Sequence, residues 1–210
     1  MIPLHADDAL LVFDKPAGML AVPGRGEDKQ DCLSARAQVQ FPDALIVHRL
    51  DQATSGLMAM ARGPEAQRTL SRAFAARAVR KRYVAVVAGR LAASDTEWHT
   101  IDLPIVADWP NRPRRIVDHQ IGKPSLTRWR ALAHDDAAGT TRLELEPVTG
   151  RSHQLRVHMN ALGHPILGDE LYAQPEVQAM AGRLLLHACR LELAHPASGQ
   201  VMVFEVPVPF

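Results

Sequence analysis

The sequence predicts an α+β fold built on a largely antiparallel, mixed sheet with flanking helices. Segments typical of strands outnumber helical segments, and the two kinds do not alternate regularly along the chain. Regular alternation would have favoured a doubly wound parallel sheet. No linker divides the 210 residues, and this length suits one large domain. We therefore expect a single domain over residues 1–210.

The strands are predicted from short apolar runs, β-branched residues and period-two alternation. Leu143 and Leu145, for example, alternate with charged neighbours. The predicted strands cover residues 9–14, 44–50, 56–61, 83–88, 126–131, 141–146, 184–193 and 201–206. The turn-like residues 195–199 separate the last two strands, which predicts a hairpin.

Three helices are predicted from capping residues. Asp31 can cap a helix over residues 32–40, and Pro64 suits the first turn of a second helix. Ser152 is the predicted cap of a third helix, which Gly163 ends. Residues 104–125 are rich in proline and predict either an insertion or a substrate-facing arm.

Several protein classes are excluded by simple counts. No apolar run approaches the ~20 residues of a membrane span, and residues 1–11 lack the pattern of a signal peptide. The two cysteines, Cys32 and Cys189, lie far apart, which argues against a disulfide scaffold and a cysteine-rich zinc site. We therefore expect a cytoplasmic protein with no membrane partner.

The net charge of +1 conceals two basic segments. Residues 61–90 carry eight basic side chains against one acid, and residues 112–130 carry six against one. Such segments can bind a polyanion, although solvated surface charge is an equally open interpretation. The arginines that we predict to contact such a polyanion from these segments are Arg77, Arg80, Arg82, Arg112 and Arg114.

No cofactor motif is present in the sequence. Residues 22–26 lack the ending of a phosphate-binding P-loop, and no nucleophile elbow occurs. His153 and His158 are five residues apart, which does not place two metal ligands on one helix face. We expect neither a metal nor a cofactor.

Two polar segments stand out. The first, HRLDQATSG at residues 48–56, lies between two apolar runs, where a plain loop is one interpretation. The second, residues 149–158, places Arg156 between Leu155 and Val157, which must be partly buried. A guanidinium in that position needs an anionic partner, and a structural carboxylate from a nearby loop would suffice.

Together these segments resemble the RluA-type pseudouridine synthase family. Residues 48–56 look like the family's signature, and residues 80–85 (RKRYVA) are similar to its tyrosine motif. Residues 147–169 look like its third motif, and residues 184–188 fit its C-terminal strand. The motifs occur in family order and span nearly the whole chain. The resemblance implies the catalytic fold of that family with a central active-site cleft. Only thirteen residues precede Asp14, so we expect no N-terminal S4 domain.

The resemblance also implies the residue roles. Asp51 is the catalytic carboxylate, acting either as nucleophile at C1′ or as base at C2′, and Arg156 is its partner. Tyr83 stacks on the flipped base and handles protons at C5, while Arg49 fills the space that the base leaves. Each role has an alternative: Asp51 and Arg156 form only a buried ion pair, Tyr83 only packs within its strand, and Arg49 is only a surface charge. His48, Thr54, His153 and His158 are interpreted as scaffold or phosphate contacts.

The implied activity is isomerisation of uridine to pseudouridine in structured RNA. By resemblance, the substrates are the tRNA anticodon stem-loop, a 23S rRNA hairpin loop, or both, acted on by a monomer with no obligate protein partner. Two alternatives stay open: a non-catalytic RNA-binding or ribosome-assembly module on the same fold, and a nucleoside hydrolase that uses Asp51.

Overall fold

The computed structural model describes residues 1–91 and 97–210 and confirms an α+β fold. Its strand pairings are predominantly antiparallel. The strands are β1 (His5–Ala6), β2 (Leu10–Lys15), β3 (Ala44–Ile46), β4 (Ser55–Arg62), β5 (Arg80–Ala88), β6 (His99–Asp102), β7 (Ile105–Ala107), β8 (Arg115–Val117), β9 (Leu126–Asp135), β10 (Thr140–Pro147), β11 (Leu186–Ala194) and β12 (Val201–Glu205). The helices are α1 (Leu33–Gln40), α2 (Gly63–Ala75), α3 (Gln154–Ala161) and the short α4 (Pro175–Gln178).

The chain forms two compact units, the first comprising residues 1–81 and 188–209. Its strands follow the order β1-β2-β4-β11, with β3 also paired to β4 and β12 to β11. Leu10, Leu57 and Leu191 from three of these strands pack with Leu70 of α2 in one apolar core. Pro64 lies in the first turn of α2 as predicted, and the apolar side of the helix is buried on the sheet.

Gly56 allows β4 to lie directly against β11 in this unit. Its φ is +114°, and a Cβ at this position would lie 2.3 Å from the carbonyl oxygen of Ala188. No other residue type has both the conformational freedom and the missing side chain that this approach requires. The end of the signature segment is therefore fixed against the neighbouring strand.

The second unit comprises residues 82–187 together with Phe210. Its strands follow the order β5-β10-β9-β6, and β7 and β8 form a separate hairpin. Leu143 and Leu145 of β10 are fully buried, as their alternation predicts. Val157 of α3 packs with Ile105 of β7 and with Tyr172, so this helix lies against the hairpin.

Several element boundaries differ from the prediction, among them those of α1, β3 and α3. Cys32 rather than Asp31 caps α1, because its Sγ accepts the Ala35 N–H while Asp31 pairs with Arg36. The predicted strand 44–50 ends at Ile46, beyond which the chain turns into the signature loop. His153, not Ser152, precedes α3, and it adopts the left-handed conformation with φ 57°.

The predicted hairpin of β11 and β12 is confirmed by pairing that runs from Arg190 with Glu205 to Ala194 with Val201. The proline-rich segment 104–125 contains the β7–β8 hairpin, in which Ile105 pairs with Val117. Of the helices in the part of the chain that the structure describes, none is long and apolar enough to cross a membrane.

Candidate active site

Asp51 lies on a tight turn in the loop between β3 and β4. The Thr54 N–H donates to the Asp51 carbonyl at 3.1 Å, which closes the turn. The neighbouring Gln52 is fixed from outside, since its carbonyl accepts the Gly18 N–H at 2.9 Å and its side-chain amide donates to the Gly18 carbonyl. The half-buried Asp51 side chain is therefore carried by backbone that is held on both sides.

Lys15 is the charged side chain that supports this turn. It has no exposed surface, and its ammonium donates to the carbonyls of Pro16, Met19 and Gln52 at 2.8 to 3.2 Å. An ammonium has three protons, so it can donate to all three carbonyls at once. Sequence reasoning did not assign Lys15 to the site, because its link to the Asp51 turn is made through the carbonyl of Gln52, 37 residues away, which only the fold brings near.

His48 belongs to the scaffold of the loop. Its ring stacks on Phe74 at a centroid distance of 4.3 Å, and its Nε2 accepts the Ala59 N–H at 2.9 Å. Burial, with a smaller contribution from the Lys81 charge, lowers the pKa of His48 to about 3. The ring is therefore neutral near pH 7, as its acceptor role requires.

Arg156 forms a buried ion pair with Asp169. Its Nε and Nη2 donate to the two carboxylate oxygens at 2.8 and 2.6 Å, and both side chains are almost completely buried. Asp169 also accepts the N–H groups of Leu171 and Tyr172. The predicted need of Arg156 for an anion is thus met in its own unit by the structural carboxylate that was the alternative to Asp51. The predicted pairing with Asp51 stays a prediction.

Gly168 explains how Asp169 reaches this position. A Cβ at Gly168 would lie 1.9 Å from the Arg183 carbonyl oxygen, and the glycine has φ +70°. The backbone at Gly168 therefore lies in direct contact with the backbone of Arg183, and the next residue, Asp169, carries the carboxylate that binds Arg156. The sequence signal was available in the Gly168-Asp169 pair that ends the third motif.

Tyr172 connects the third motif to the β7–β8 hairpin. Its hydroxyl accepts the Arg115 N–H at 2.8 Å and contacts Nδ1 of His153 at 2.7 Å. The guanidinium groups of Arg114 and Arg156 lie 5.6 and 5.1 Å from the centre of its ring. One side chain thus contacts the hairpin, the start of α3 and the buried arginine, and sequence reasoning had missed it.

Tyr83 is buried on β5, where it is the register partner of Leu145 on β10. The neighbouring Arg82 donates to Glu144 at 2.9 Å, and Arg130 donates to the other oxygen of the same carboxylate. Arg82 therefore holds a protein carboxylate, which reduces the charge that it offers to another anion.

The other predicted RNA-binding arginines are exposed on the two units. Arg49, Arg77 and Arg80 belong to the first unit, and Arg112 and Arg114 belong to the second. Arg77 follows α2 in the left-handed conformation, and Arg80 approaches Glu192 only to 3.5 Å. His158 is scaffold: it bonds Thr127 and the Leu103 carbonyl.

The chain is similar in sequence to known proteins over most or all of its length. Residues 9–161 match the family model that is described as RNA pseudouridylate synthase. The chain is 48% identical to the dual-specificity RNA pseudouridine synthase RluA of Escherichia coli strain K12, over 100% of this chain and 94% of that protein. It is also 48% identical to the RluA of Yersinia pestis over the full length of both.

A solved structure shows the same fold. Human RNA pseudouridylate synthase domain containing 1 superposes with a TM-score of 0.81 at 29% identity, over 99% of this chain and 83% of the human chain. The fold predicted from the motifs is thereby confirmed.

Proposed function

Because the chain belongs to the RNA pseudouridylate synthase family, we propose that it isomerises uridine to pseudouridine in structured RNA. In this reaction the bond between N1 and C1′ breaks, the uracil turns, and a bond between C5 and C1′ forms. The proton on C5 leaves and N1 gains one, so that no atom is added or lost. The reaction needs no external reductant or energy source.

Asp51 is the carboxylate that we assign to the chemical step. The observation that carries the proposal is its placement on a turn held by Lys15 and Gly18, within a family whose model covers this segment. In one route the carboxylate attacks C1′ as the uracil leaves; in the other it removes the C2′ proton to give a glycal. Both routes need an ionised carboxylate at a fixed position.

Three further residues take roles implied by the family resemblance. Tyr83 stacks on the flipped uracil and handles the C5 proton, and Arg49 occupies the space that the base leaves. Arg156 supports the charge of Asp51 while Asp169 fixes its guanidinium. At ~4 Å and an effective dielectric of ~20, one such pair supplies about 4 kcal/mol of Coulomb attraction before desolvation.

The substrate we propose is a stem-loop, from tRNA, from 23S rRNA or from both. Extruding a uridine costs least where it is already unpaired, and loop bases also present their edges to a protein. The exposed Arg77, Arg80, Arg112 and Arg114 would hold the phosphates, with a smaller share from Arg82. The relatives named above are dual-specificity RNA enzymes, which supports more than one RNA substrate.

We also propose that the protein acts as a monomer in the cytoplasm, where tRNA and ribosomal RNA are modified. The single catalytic domain over residues 1–210 stays part of this proposal. Size-exclusion chromatography with light scattering should give the mass of one 23.1 kDa chain. A stable dimer at micromolar concentration would contradict it.

The proposal is tested by replacing Asp51 with Asn, which keeps the size of the side chain and removes its charge. We expect pseudouridine formation in transcribed tRNA and 23S rRNA fragments to fall by at least a thousandfold, while RNA affinity stays within threefold. Nuclease digestion followed by chromatography of the nucleosides measures the product. Substantial residual turnover in Asp51→Asn would contradict the assignment.

The matched control is Asp31→Asn, because Asp31 is exposed and pairs only locally with Arg36. This variant should retain wild-type activity. Free uracil in the wild-type reaction would identify a hydrolase instead. RNA binding without any base product would identify a non-catalytic module.

A further inference from the structure

Trp109 is exposed at the tip of the β7–β8 hairpin, in the loop formed by residues 108–114. It is 67% exposed, whereas Trp129 is buried and Trp98 is half-buried among arginines. Leaving most of an indole in water gives up much of the hydrophobic stabilisation that a tryptophan provides when buried. The exposed indole of Trp109 therefore contributes little to packing and leaves most of its surface available to a ligand.

The loop that carries Trp109 is held in one conformation by short-range hydrogen bonds. The Asn111 amide donates to both carboxylate oxygens of Asp108, and the Asn111 N–H donates to the Asp108 carbonyl. The Arg114 N–H then donates to the Asn111 carbonyl, and the Asp108 N–H donates to the Arg114 carbonyl. A platform of this kind binds with little loss of conformational entropy.

The base of the hairpin is also fixed. The Arg115 N–H donates to the buried Tyr172 hydroxyl, and Ile105 and Lys123 exchange backbone hydrogen bonds. The tip is thereby attached to the unit that contains Arg156 and Tyr83. Trp109 is therefore presented by a supported element.

The surroundings of Trp109 are cationic. The guanidinium of Arg112 lies 3.3 Å from the centre of the indole ring and covers one of its faces. Arg114 is exposed nearby in sequence, and the carboxylate of Asp108 is bonded to Asn111. An aromatic face beside exposed arginines matches a nucleobase and its phosphates, because the base can stack while the phosphates meet positive charge.

We propose that Trp109 is a stacking platform for an unpaired RNA base other than the uridine that reacts, with Arg112 holding the indole and a neighbouring phosphate. The proposal rests on the RNA-modifying function proposed above and names one contact of the substrate. The occupant is RNA, because the flanking guanidinium groups would oppose an apolar protein surface.

The test measures the affinity of Trp109→Ala and Trp109→Phe for a 17-nucleotide tRNA anticodon stem-loop. A base–aromatic stack contributes ~1–3 kcal/mol, so Trp109→Ala should bind roughly 5- to 150-fold more weakly. The Phe variant keeps a ring and should stay within about threefold of the wild type. The single-turnover rate at saturating RNA should change less than threefold in both. Ile121→Ala, at an exposed position of the same segment, is the matched control and should bind like the wild type.

Stem-loops with single abasic positions locate the base. At one loop position other than the modified uridine, removing the base should weaken wild-type binding but leave Trp109→Ala unaffected. Wild-type affinity in Trp109→Ala, or equal losses in the Ala and Phe variants, would overturn the proposal. Loss of a wild-type dimer in Trp109→Ala would overturn it in favour of a second copy as occupant. Affinity is measured without turnover, so a wild type that binds but forms no pseudouridine would overturn the proposed function separately.

Discussion

Lys15 supports the turn that carries Asp51, because its ammonium donates to the carbonyl of the adjacent Gln52. Replacing it with Met keeps the aliphatic stem and removes the ammonium donor from the carbonyls of Pro16, Met19 and Gln52, of which Gln52 still accepts another donor, the Gly18 N–H. A carbonyl that loses its partner costs ~1–3 kcal/mol, so the loss of the donor to Pro16 and Met19 should lower the free energy of unfolding by about 2 kcal/mol or more. Urea titration measures it. Lys29→Met, at an exposed position, should change stability by less than about 0.5 kcal/mol.

His48 makes the stability of the protein depend on pH. Its pKa is about 3 in the folded protein against an ordinary value of 6.5, so below pH 6.5 the unfolded chain takes up a proton that the folded chain does not. The stabilisation is present above pH 6.5 and is lost as the pH falls toward 3. The slope is at most ~1.4 kcal/mol per pH unit.

Urea titrations at pH 7, 6 and 5 should show this decline. In His48→Gln the side chain can still accept the Ala59 N–H but does not titrate, so its stability should fall less steeply with pH. Equal slopes in the two proteins would show that His48 does not titrate as described.

At the scale of elements, local patterns predicted most of the strands, and non-local contacts decided the boundaries. The alternation of Leu143 and Leu145 with charged residues correctly predicted the buried face of β10. The start of α3 was wrong because Gln154, not Ser152, organises that turn: its Oε1 accepts from Thr149 and Arg151, and its amide donates to the Leu126 carbonyl. Helix-capping rules consider only residues that are close in sequence, whereas Leu126 is 28 residues away from Gln154.

At the candidate site, too, local sequence patterns predicted part of the arrangement, and contacts between distant residues decided the rest. The sequence predicted that Arg156 requires an anion, because apolar neighbours bury it. It did not predict that Asp169 supplies one, since the close approach at Gly168 depends on the fold. Tyr172 and the contact between Lys15 and Gln52 were missed for the same reason, since these contacts join distant segments of the chain.

We expect the β7–β8 hairpin to position RNA, and we expect Tyr172 to hold the hairpin in place. Tyr172→Phe keeps the ring under Arg114 and Arg156 but removes the acceptor of the Arg115 N–H and the contact with His153. We expect a loss of about 1–2 kcal/mol in stability. Because the hairpin carries Arg112 and Trp109, KM for a stem-loop should rise about fivefold with kcat changed less than twofold. A fall in kcat with KM unchanged would place the role of Tyr172 in the chemical step.

At the scale of the whole molecule, a nearly neutral chain concentrates positive charge locally. Several arginines are already committed to carboxylates, such as Arg82 and Arg130 to Glu144 and Arg128 to Glu146. Exposed arginines without so close a carboxylate partner are the stronger candidates for phosphate binding. Of the predicted set, Arg77 meets this description in the first unit, and Arg80 pairs with Glu192 at 3.5 Å but keeps 76% of its side chain exposed.

The salt dependence of RNA binding tests this distinction. Each phosphate contact contributes ~0.7 to 0.9 to the log–log slope of affinity against salt, so Arg77→Gln/Arg80→Gln should flatten the slope by ~1.4 to 1.8. The single-turnover rate at saturating RNA should stay within threefold. The matched control is Arg36→Gln/Arg90→Gln, whose exposed arginines pair with Asp31 and Asp136 and should leave the slope unchanged. Equal slopes in the two double variants would place the RNA on a face away from the end of α2, because binding there must release the counterions that Arg77 and Arg80 replace.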